Sequence, residues 1–458
     1  MKHQHLLDKI KMATWQRLVV AVAAVAGIAT SANAALTFSE GNTAYAPIAV
    51  DVASSTGLDK VYVLWQSSGM KATFTSGNAS AVKWYRFSAL GGGYAEEITA
   101  VTQGNESSVY LTADDMGYIV ESDGRQQCYW IVNYANHKCS LSGLDIAPEQ
   151  DCERTALLFT GEADKILYYS VTGAPQVLSR DLTLNYNTLV YNEEQYTYEL
   201  APGDETLESA EGTIRCDAPL CDTSFVLSGD RFLRQWGIEQ EAISPTYTTT
   251  AVEAHTYATQ TTRSVDNEQN VTADLGGSAP VEITFLAVTT DAAVYKEWQF
   301  STDANFEDID LRIQENEVVH TFNDEGTTYV RFVVGDNSGN CDKYSDTYTV
   351  FVGESDLKCP NAFSPGASEG VNDEWKVSYK SLIEFDCHIF NRWGLEMAHL
   401  TDPSQGWDGR YKGKLVPAGV YYYVIKARGT DGKAYKKSGD INIIKYKSSG
   451  TTTTTTTE

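Results

Sequence analysis

The sequence predicts an all-β chain of several β-sandwiches in tandem, and three observations carry that prediction. Past the first 34 residues, apolar positions recur in short alternating runs broken by turn residues, the period of a strand and not of a helix. The chain holds 27 tyrosines, 9 tryptophans and 35 glycines against 5 methionines and 11 prolines. Aromatic side chains suit a pleated, half-buried surface, and glycine supplies tight turns. Its 458 residues correspond to about three or four domains. A hydrophobic share of 42% and a charged share of 21% exclude a disordered chain. The 35 basic and 61 acidic residues give a net charge of −26, which repels phosphate backbones, so nucleic acid is not an expected partner.

Residues 1–34 read as an export signal. Lys9, Lys11 and Arg17 precede an apolar run from Leu18 to Ala29, and Ala32-Asn33-Ala34 places the cut between Ala34 and Ala35. A membrane crossing needs about 20 apolar residues and this run is shorter. No second long apolar run follows, so the mature chain is expected to lack a transmembrane segment. Beyond the inner membrane the eight cysteines can form disulfides.

Strands are expected at 60–65, 82–87, 127–134, 156–160 and 166–171. In the second, Val82, Trp84 and Arg86 alternate with Lys83, Tyr85 and Phe87, which predicts one buried and one wet face. Apolar runs at 225–228 and 231–233 flank Gly229-Asp230, a two-residue loop suited to a hairpin. Two stretches share an order of landmarks: Trp84 to Ser88 then Gly117 to Val120, and Trp298 to Ser301 then Gly326 to Val330. A tryptophan on a central strand, then a tyrosine after a glycine corner, is how immunoglobulin-like sandwiches lock their two sheets. The expected modules are thus 35–140, immunoglobulin-like, 141–245, a second sandwich, and 246–356. The last of these resembles a PKD (polycystic kidney disease) module through residues 279–285, Trp298-Gln299-Phe300, 322–329 and 333–339. That resemblance implies a spacer or interaction domain.

The text changes character at Cys359. Residues 359–458 hold 13 basic and 11 acidic side chains, whereas 35–358 carry a net −31. Five landmarks follow in order: Pro360-Asn361-Ala362-Phe363-Ser364-Pro365, Val371-Asn372-Asp373, Ile389-Phe390-Asn391-Arg392-Trp393-Gly394, Gly406-Trp407-Asp408-Gly409, and Pro417-Ala418-Gly419-Val420-Tyr421-Tyr422-Tyr423. Together they resemble the gliding-motility-associated C-terminal domain, the type B sorting domain read by the type IX secretion system of Bacteroidetes. The resemblance implies passage to the periplasm and export to the outer-membrane surface or the medium, with residues 357–447 as the address and the secretion machinery as partner. Residues 448–458 form a threonine-rich tail with nothing apolar to bury. Where the family has an Asn-Gly-Asp-Gly loop, residues 366–370 read Gly-Ala-Ser-Glu-Gly, leaving Glu369 and Asp373 as too few oxygens for calcium. Asn391, Arg392, Trp393 and Trp407 read as a packed cation–aromatic corner in preference to a receptor contact.

Alternation alone also describes a small sandwich here. Phe385, Cys387 and Ile389 share one face, and Tyr421, Tyr423 and Ile425 alternate with Val420, Tyr422 and Val424. Cys359 and Cys387, placed in the first and an early central strand, are the expected disulfide of this module, with Cys128–Cys139 and Cys152–Cys221 as further candidates and Cys216 and Cys341 left over.

Chemistry is mostly rejected. Gly366-Ala367-Ser368-Glu369-Gly370 spells Gly-x-Ser-x-Gly, but Pro365 precedes it and a strand follows, where a nucleophile elbow needs strand then helix. Gly91-Gly92-Gly93 lacks the surroundings of a phosphate loop. His137, His255, His320, His388 and His399 stand singly, and Cys216 and Cys221 lack a second ligand pair, so neither a metal nor another cofactor is expected. Asp336, Asn337 and Asp342 offer few oxygens for calcium. Trp84 and Trp130 sit on alternating strands, where core positions outweigh sugar stacking. The sequence points to a secreted or cell-surface, non-catalytic interaction or structural protein with an unidentified extracellular protein or glycan partner. The alternative is a surface carbohydrate-binding protein in nutrient capture.

Overall fold

The computed structural model describes residues 36–263, 265–269, 274–367 and 370–444. The export signal with its Ala34–Ala35 cut, Ser368, Glu369 and the threonine-rich tail lie outside the described residues. Strands dominate, and helix among the described residues is confined to Arg231–Gln235 and short 3-10 turns. No helix among them is long and apolar enough to cross a membrane. The chain is a tandem of immunoglobulin-like β-sandwiches.

The first sandwich stacks two sheets. One orders Thr43–Tyr45, Thr37–Glu40, Lys71–Thr75, Glu106–Tyr110 and Val101–Gln103; the other orders Ile48–Val50, Lys60–Leu64, Arg125–Asn133, Met116–Ser122, Lys83–Phe87 and Glu96–Ile98. Phe38, Tyr62, Phe74, Trp84 and Tyr118 fill the space between them. The far face of the second sheet is not wet. Val61, Val63, Phe87 and Trp130 continue into a core shared with Leu157, Ile166, Leu184 and Phe225 of the next module. The near-unbroken apolar run Cys128-Tyr129-Trp130-Ile131-Val132 follows from burial on both faces. The expected wet face of the strand at 82–87 is therefore corrected: Trp84 and Phe87 point into different cores and both are buried. Gly117 completes this packing, since a Cβ there would lie 2.2 Å from the ring of Phe87.

The second module holds Ser140–Ile146, Arg154–Glu162 and Thr213–Asp217 in one sheet, and Thr197–Leu207, Leu182–Asn192, Val226–Gly229 and Gln240–Ile243 in another. The expected hairpin through Gly229-Asp230 is overturned. Asp230 instead caps the helix Arg231–Gln235, its Oδ1 accepting from the Leu233 amide at 2.8 Å. The strand Val226–Gly229 pairs with Gln240–Ile243 beyond that helix.

The third module packs Ala254–Gln260, Val281–Thr289 and Glu317–Phe322 against a sheet built on Tyr295–Ser301, Gly326–Gly335 and Tyr348–Val352. Trp298 is fully buried at the centre, in contact with Phe285, Phe332 and Tyr348. Tyr348, rather than the Tyr329 of the expected corner, enters this core, and its hydroxyl donates to Thr256 Oγ1 at 3.0 Å. The fourth module centres on the sheet Ala362–Phe363, Ala434–Ile443, Gly419–Gly429, Leu382–Phe390 and Glu396–Leu400.

The joints are specific. Between the second and third modules Tyr191 stacks on His255 with centroids 3.8 Å apart and reaches the Tyr257 hydroxyl at 2.8 Å. Between the third and fourth, the Ser381 amide donates to Ser278 Oγ at 2.8 Å, and Asn267 donates to the carbonyls of Val377 and Pro403, each at 2.8 Å.

The disulfide expectations are corrected. Cys152 bonds Cys341, with Cα atoms 5.4 Å apart and a sequence separation of 189, so the bridge joins the second module to the third. Cys221 instead donates its thiol to the Asn187 carbonyl. Cys128, Cys139, Cys216, Cys221, Cys359 and Cys387 are free. Cys128 and Cys139 are absorbed into the shared core as apolar side chains. Cys359 and Cys387 are neighbours, but the Cys359 thiol engages the Tyr423 hydroxyl and Cys387 is fully buried.

Candidate functional site

The sorting-motif residues of the fourth module divide into a packed corner and an exposed one. The first, fourth and fifth landmarks meet at Trp407. Its indole is buried, packs on Phe363 at 5.6 Å and Tyr421 at 5.2 Å between centroids, and donates to the Arg410 carbonyl at 3.0 Å. Trp375 pairs backbone to backbone with Trp407 and donates its indole N–H to the Pro360 carbonyl at 2.7 Å. Asn361 accepts from the Asn442 amide, which lays the 360–365 segment along the last strand. Gly409, with φ +72°, sits so close to Phe363 and Pro365 that a Cβ would meet both at 3.2 Å. Gly406 lies against Glu374 and Lys376, while Asp408 Oδ1 accepts from the Arg410 amide. Gly419 begins the strand that carries Tyr421, whose hydroxyl donates to the Pro417 carbonyl.

Both described ends of the segment that departs from the family pattern are tied to Asp373. Asp373 accepts from the Gly366 amide at 2.8 Å through one oxygen and the Gly370 amide at 2.7 Å through the other, and Asn372, with φ 55°, accepts from the Ser364 amide. Asp336 in the third module likewise uses Oδ1 to hold its own turn, accepting from Ser338 Oγ and the Gly339 amide.

The packed-corner expectation holds for Trp407 and not for Trp393. Asn391 builds a tight turn, Oδ1 accepting from the Trp393 and Leu395 amides, and Gly394 completes it at φ +81°. The turn lifts Trp393 off the fold with 75% of its surface exposed, and the Arg392 guanidinium lies 4.1 Å from its ring centroid. Beside it runs a cleft of about 520 Å³ walled by Leu395, Met397, Leu415, Val416 and Pro417. The outer face of the main sheet adds exposed Val420, Tyr422 and Val424, the half of that strand's apolar alternation that no other layer covers.

Sequence reasoning missed one constellation on this face. His388 and His399, eleven positions apart, stand directly opposite each other across the antiparallel pair Leu382–Phe390 and Glu396–Leu400, and Asp386 lies two residues before His388. The signal was available only through register. In the remaining modules, Trp84 and Trp130 are buried, whereas Trp65 is 45% exposed and meets Trp236 edge-on at 5.1 Å. A cleft of about 770 Å³ beside Arg263 is lined by polar side chains such as Thr261, Asp274 and Thr349 together with Leu275, Val281 and Phe351.

Residues 145–244 match the fibronectin type III domain, and residues 357–443 match the CHU_C type IX secretion signal domain. The chain thus carries a type IX secretion signal, which directs export to the outer-membrane surface or the extracellular space. No curated protein matches it. Solved structures that align include a tetra-tandem repeat in the extending region of a large adhesion protein, at 13% identity over 84% of this chain and 98% of that one, TM-score 0.22. Others are Sidekick-1 immunoglobulin domains 1–5, at 12% over 84% and 78%, TM-score 0.25, and fibronectin(III)-like modules of Clostridium thermocellum CbhA, at 12% over 41% and 94%, TM-score 0.17. Likenesses this slight carry no weight for function.

Proposed function

We propose that the chain is a non-catalytic interaction or structural protein of the cell surface, in which residues 36–356 form a stiffened, strongly acidic display unit and residues 357–443 are its export address. The observation that supports this reading is the set of joints. Hydrogen bonds from the buried Arg180 to the His137 and Lys138 carbonyls, a disulfide and a seryl hydrogen bond tie each module to the next, which suits a rod that presents a surface at a distance. Within the address, Trp407 holds the fold while the Arg392–Trp393 turn and the adjoining cleft face outward for the secretion machinery.

The test replaces residues 36–356 by an unrelated reporter while keeping the signal and residues 357–458, in a cell with a type IX system. The reporter is expected to reach the surface, and adhesion of the cells to surfaces or to one another is expected to fall. A reporter held in the periplasm overturns the address; unchanged adhesion at equal display overturns the role of the display unit. Trp393→Ala is expected to lower export with the fold intact, whereas Trp407→Ala lowers both.

A second reading, carbohydrate binding, is favoured by the exposed Trp65 against Trp236, since an indole face stacks on sugar rings. A glycan array probed with the intact chain and with Trp65→Ala tests it, and absence of any Trp65-dependent signal counts against it.

A further inference from the structure

We propose that Asp386, His388 and His399 form a surface binding site for a divalent transition-metal ion of the zinc class. Each offers one ligand atom, and these atoms all lie within 4.8 Å of one another. The site is built by strand pairing. His388 and His399 are register partners on neighbouring antiparallel strands, and their rings lie parallel with centroids 4.2 Å apart. Asp386 shares the face of His388, because residues two apart on a strand point the same way. Its Oδ1 is 2.6 Å from His399 Nε2 and 3.3 Å from His388 Nε2.

Those separations suit metal chemistry. Zinc bonds nitrogen and carboxylate oxygen at about 2.0–2.2 Å in a tetrahedron, which spaces ligand atoms by roughly 3.3–3.5 Å. The His388–Asp386 distance already has that value, and the His399–Asp386 contact has to open by under about 1 Å, a small side-chain rotation on an exposed face. Two imidazoles and a carboxylate leave a fourth position for water, the donor set that favours zinc, nickel, cobalt or copper over calcium and magnesium.

The second ring nitrogen of His388 is also provided for. Its Nδ1 lies 3.3 Å from Glu396 Oε1, and a carboxylate on the far side of a ligating imidazole fixes the tautomer that presents Nε2 to a metal. All four side chains keep between 33% and 46% of their surface exposed, so an ion can enter without unfolding. Lys426 stands opposite Asp386 on the adjoining strand and is exposed, and its long stem lets the ammonium swing away.

The test uses the intact chain from Ala35 to Glu458, produced without a polyhistidine tag. Zinc is titrated by calorimetry, and Co(II) is added to read the ligand-field bands of a low-coordinate nitrogen–oxygen site. One ion per chain is expected. His388→Asn and His399→Asn are each expected to abolish the Co(II) bands, and Glu396→Gln to weaken zinc by about 10-fold or more through loss of the outer carboxylate. Circular dichroism shows whether each variant is folded, and His320→Asn, remote from the trio, serves as the control that keeps full binding. Absence of saturable zinc binding, or binding unchanged in both histidine variants, overturns the proposal.

Discussion

Arg180 and Asp230 form an ion pair at 2.7 Å in the seam between the first two sandwiches, with 1% and 0% of their side-chain surfaces exposed. Every remaining donor of the guanidinium is directed at a carbonyl or hydroxyl: Nε to Asp164 O, Nη2 to His137 O and Lys138 O, Nη1 also to the Tyr134 hydroxyl. Tyr134 in turn donates to Asp230 Oδ2 at 2.8 Å. Removing one partner leaves a buried charge without its counter-ion, so Asp230→Ala is expected to cost about 3–5 kcal/mol in urea unfolding. Joint replacement by Met and Leu is expected to cost much less. A loss under about 1 kcal/mol for the single variant contradicts this account.

Gly117→Ala places a methyl 2.2 Å from the Phe87 ring, which is held between Trp130 and the shared core. Overpacking of this kind is expected to cost about 1–3 kcal/mol. Gly117→Ala with Phe87→Leu should recover most of it, measured by the same denaturation curves.

The free thiols differ in reactivity by burial. Burial pushes Cys128 and Cys139 up to about 11 and Cys216 and Cys387 up to about 12. Thiolate is the reacting form, so at pH 8 alkylation of these four is expected to run about 100-fold or more below an ordinary thiol. Cys221 and Cys359, only half-buried, should label first. Mass spectrometry of the iodoacetamide-treated chain, native and in guanidinium, checks the order.

The Cys152–Cys341 bridge ties modules that have separate cores. Serine at both positions is expected to leave each core intact and to loosen the joint, read as faster proteolysis at 147–153 and 336–342. Non-reducing peptide mapping should recover these two cysteines in one linked fragment.

The joint ahead of the fourth module is expected to be acid-sensitive. Burial alone would raise Asp431, but hydrogen bonds from the Ser355 hydroxyl, the Lys433 and Ser355 amides and the Lys433 charge hold it below the usual carboxylate range. Its contribution is complete above the unfolded value of about 4 and is lost as pH falls through the lowered folded one. Asp431→Asn should flatten that part of an acid titration followed by tryptophan fluorescence.

Sequence by itself determined the strand class, the alternation of Phe385, Cys387 and Ile389, the buried tryptophans Trp84, Trp130 and Trp298, and the sorting motif. These are local: side-chain period, turn glycines and landmark order are written along the chain. Only tertiary structure decided what lay across it. Both faces of 125–133 are covered because a second module packs on the sheet. Cys152 found Cys341 through a contact spanning 189 residues. Asp230 capped a helix because its side chain could reach the Leu233 amide, where turn composition alone suggested a hairpin. His388 and His399 met because strand register sets which residues stand opposite, and register is a property of two strands together.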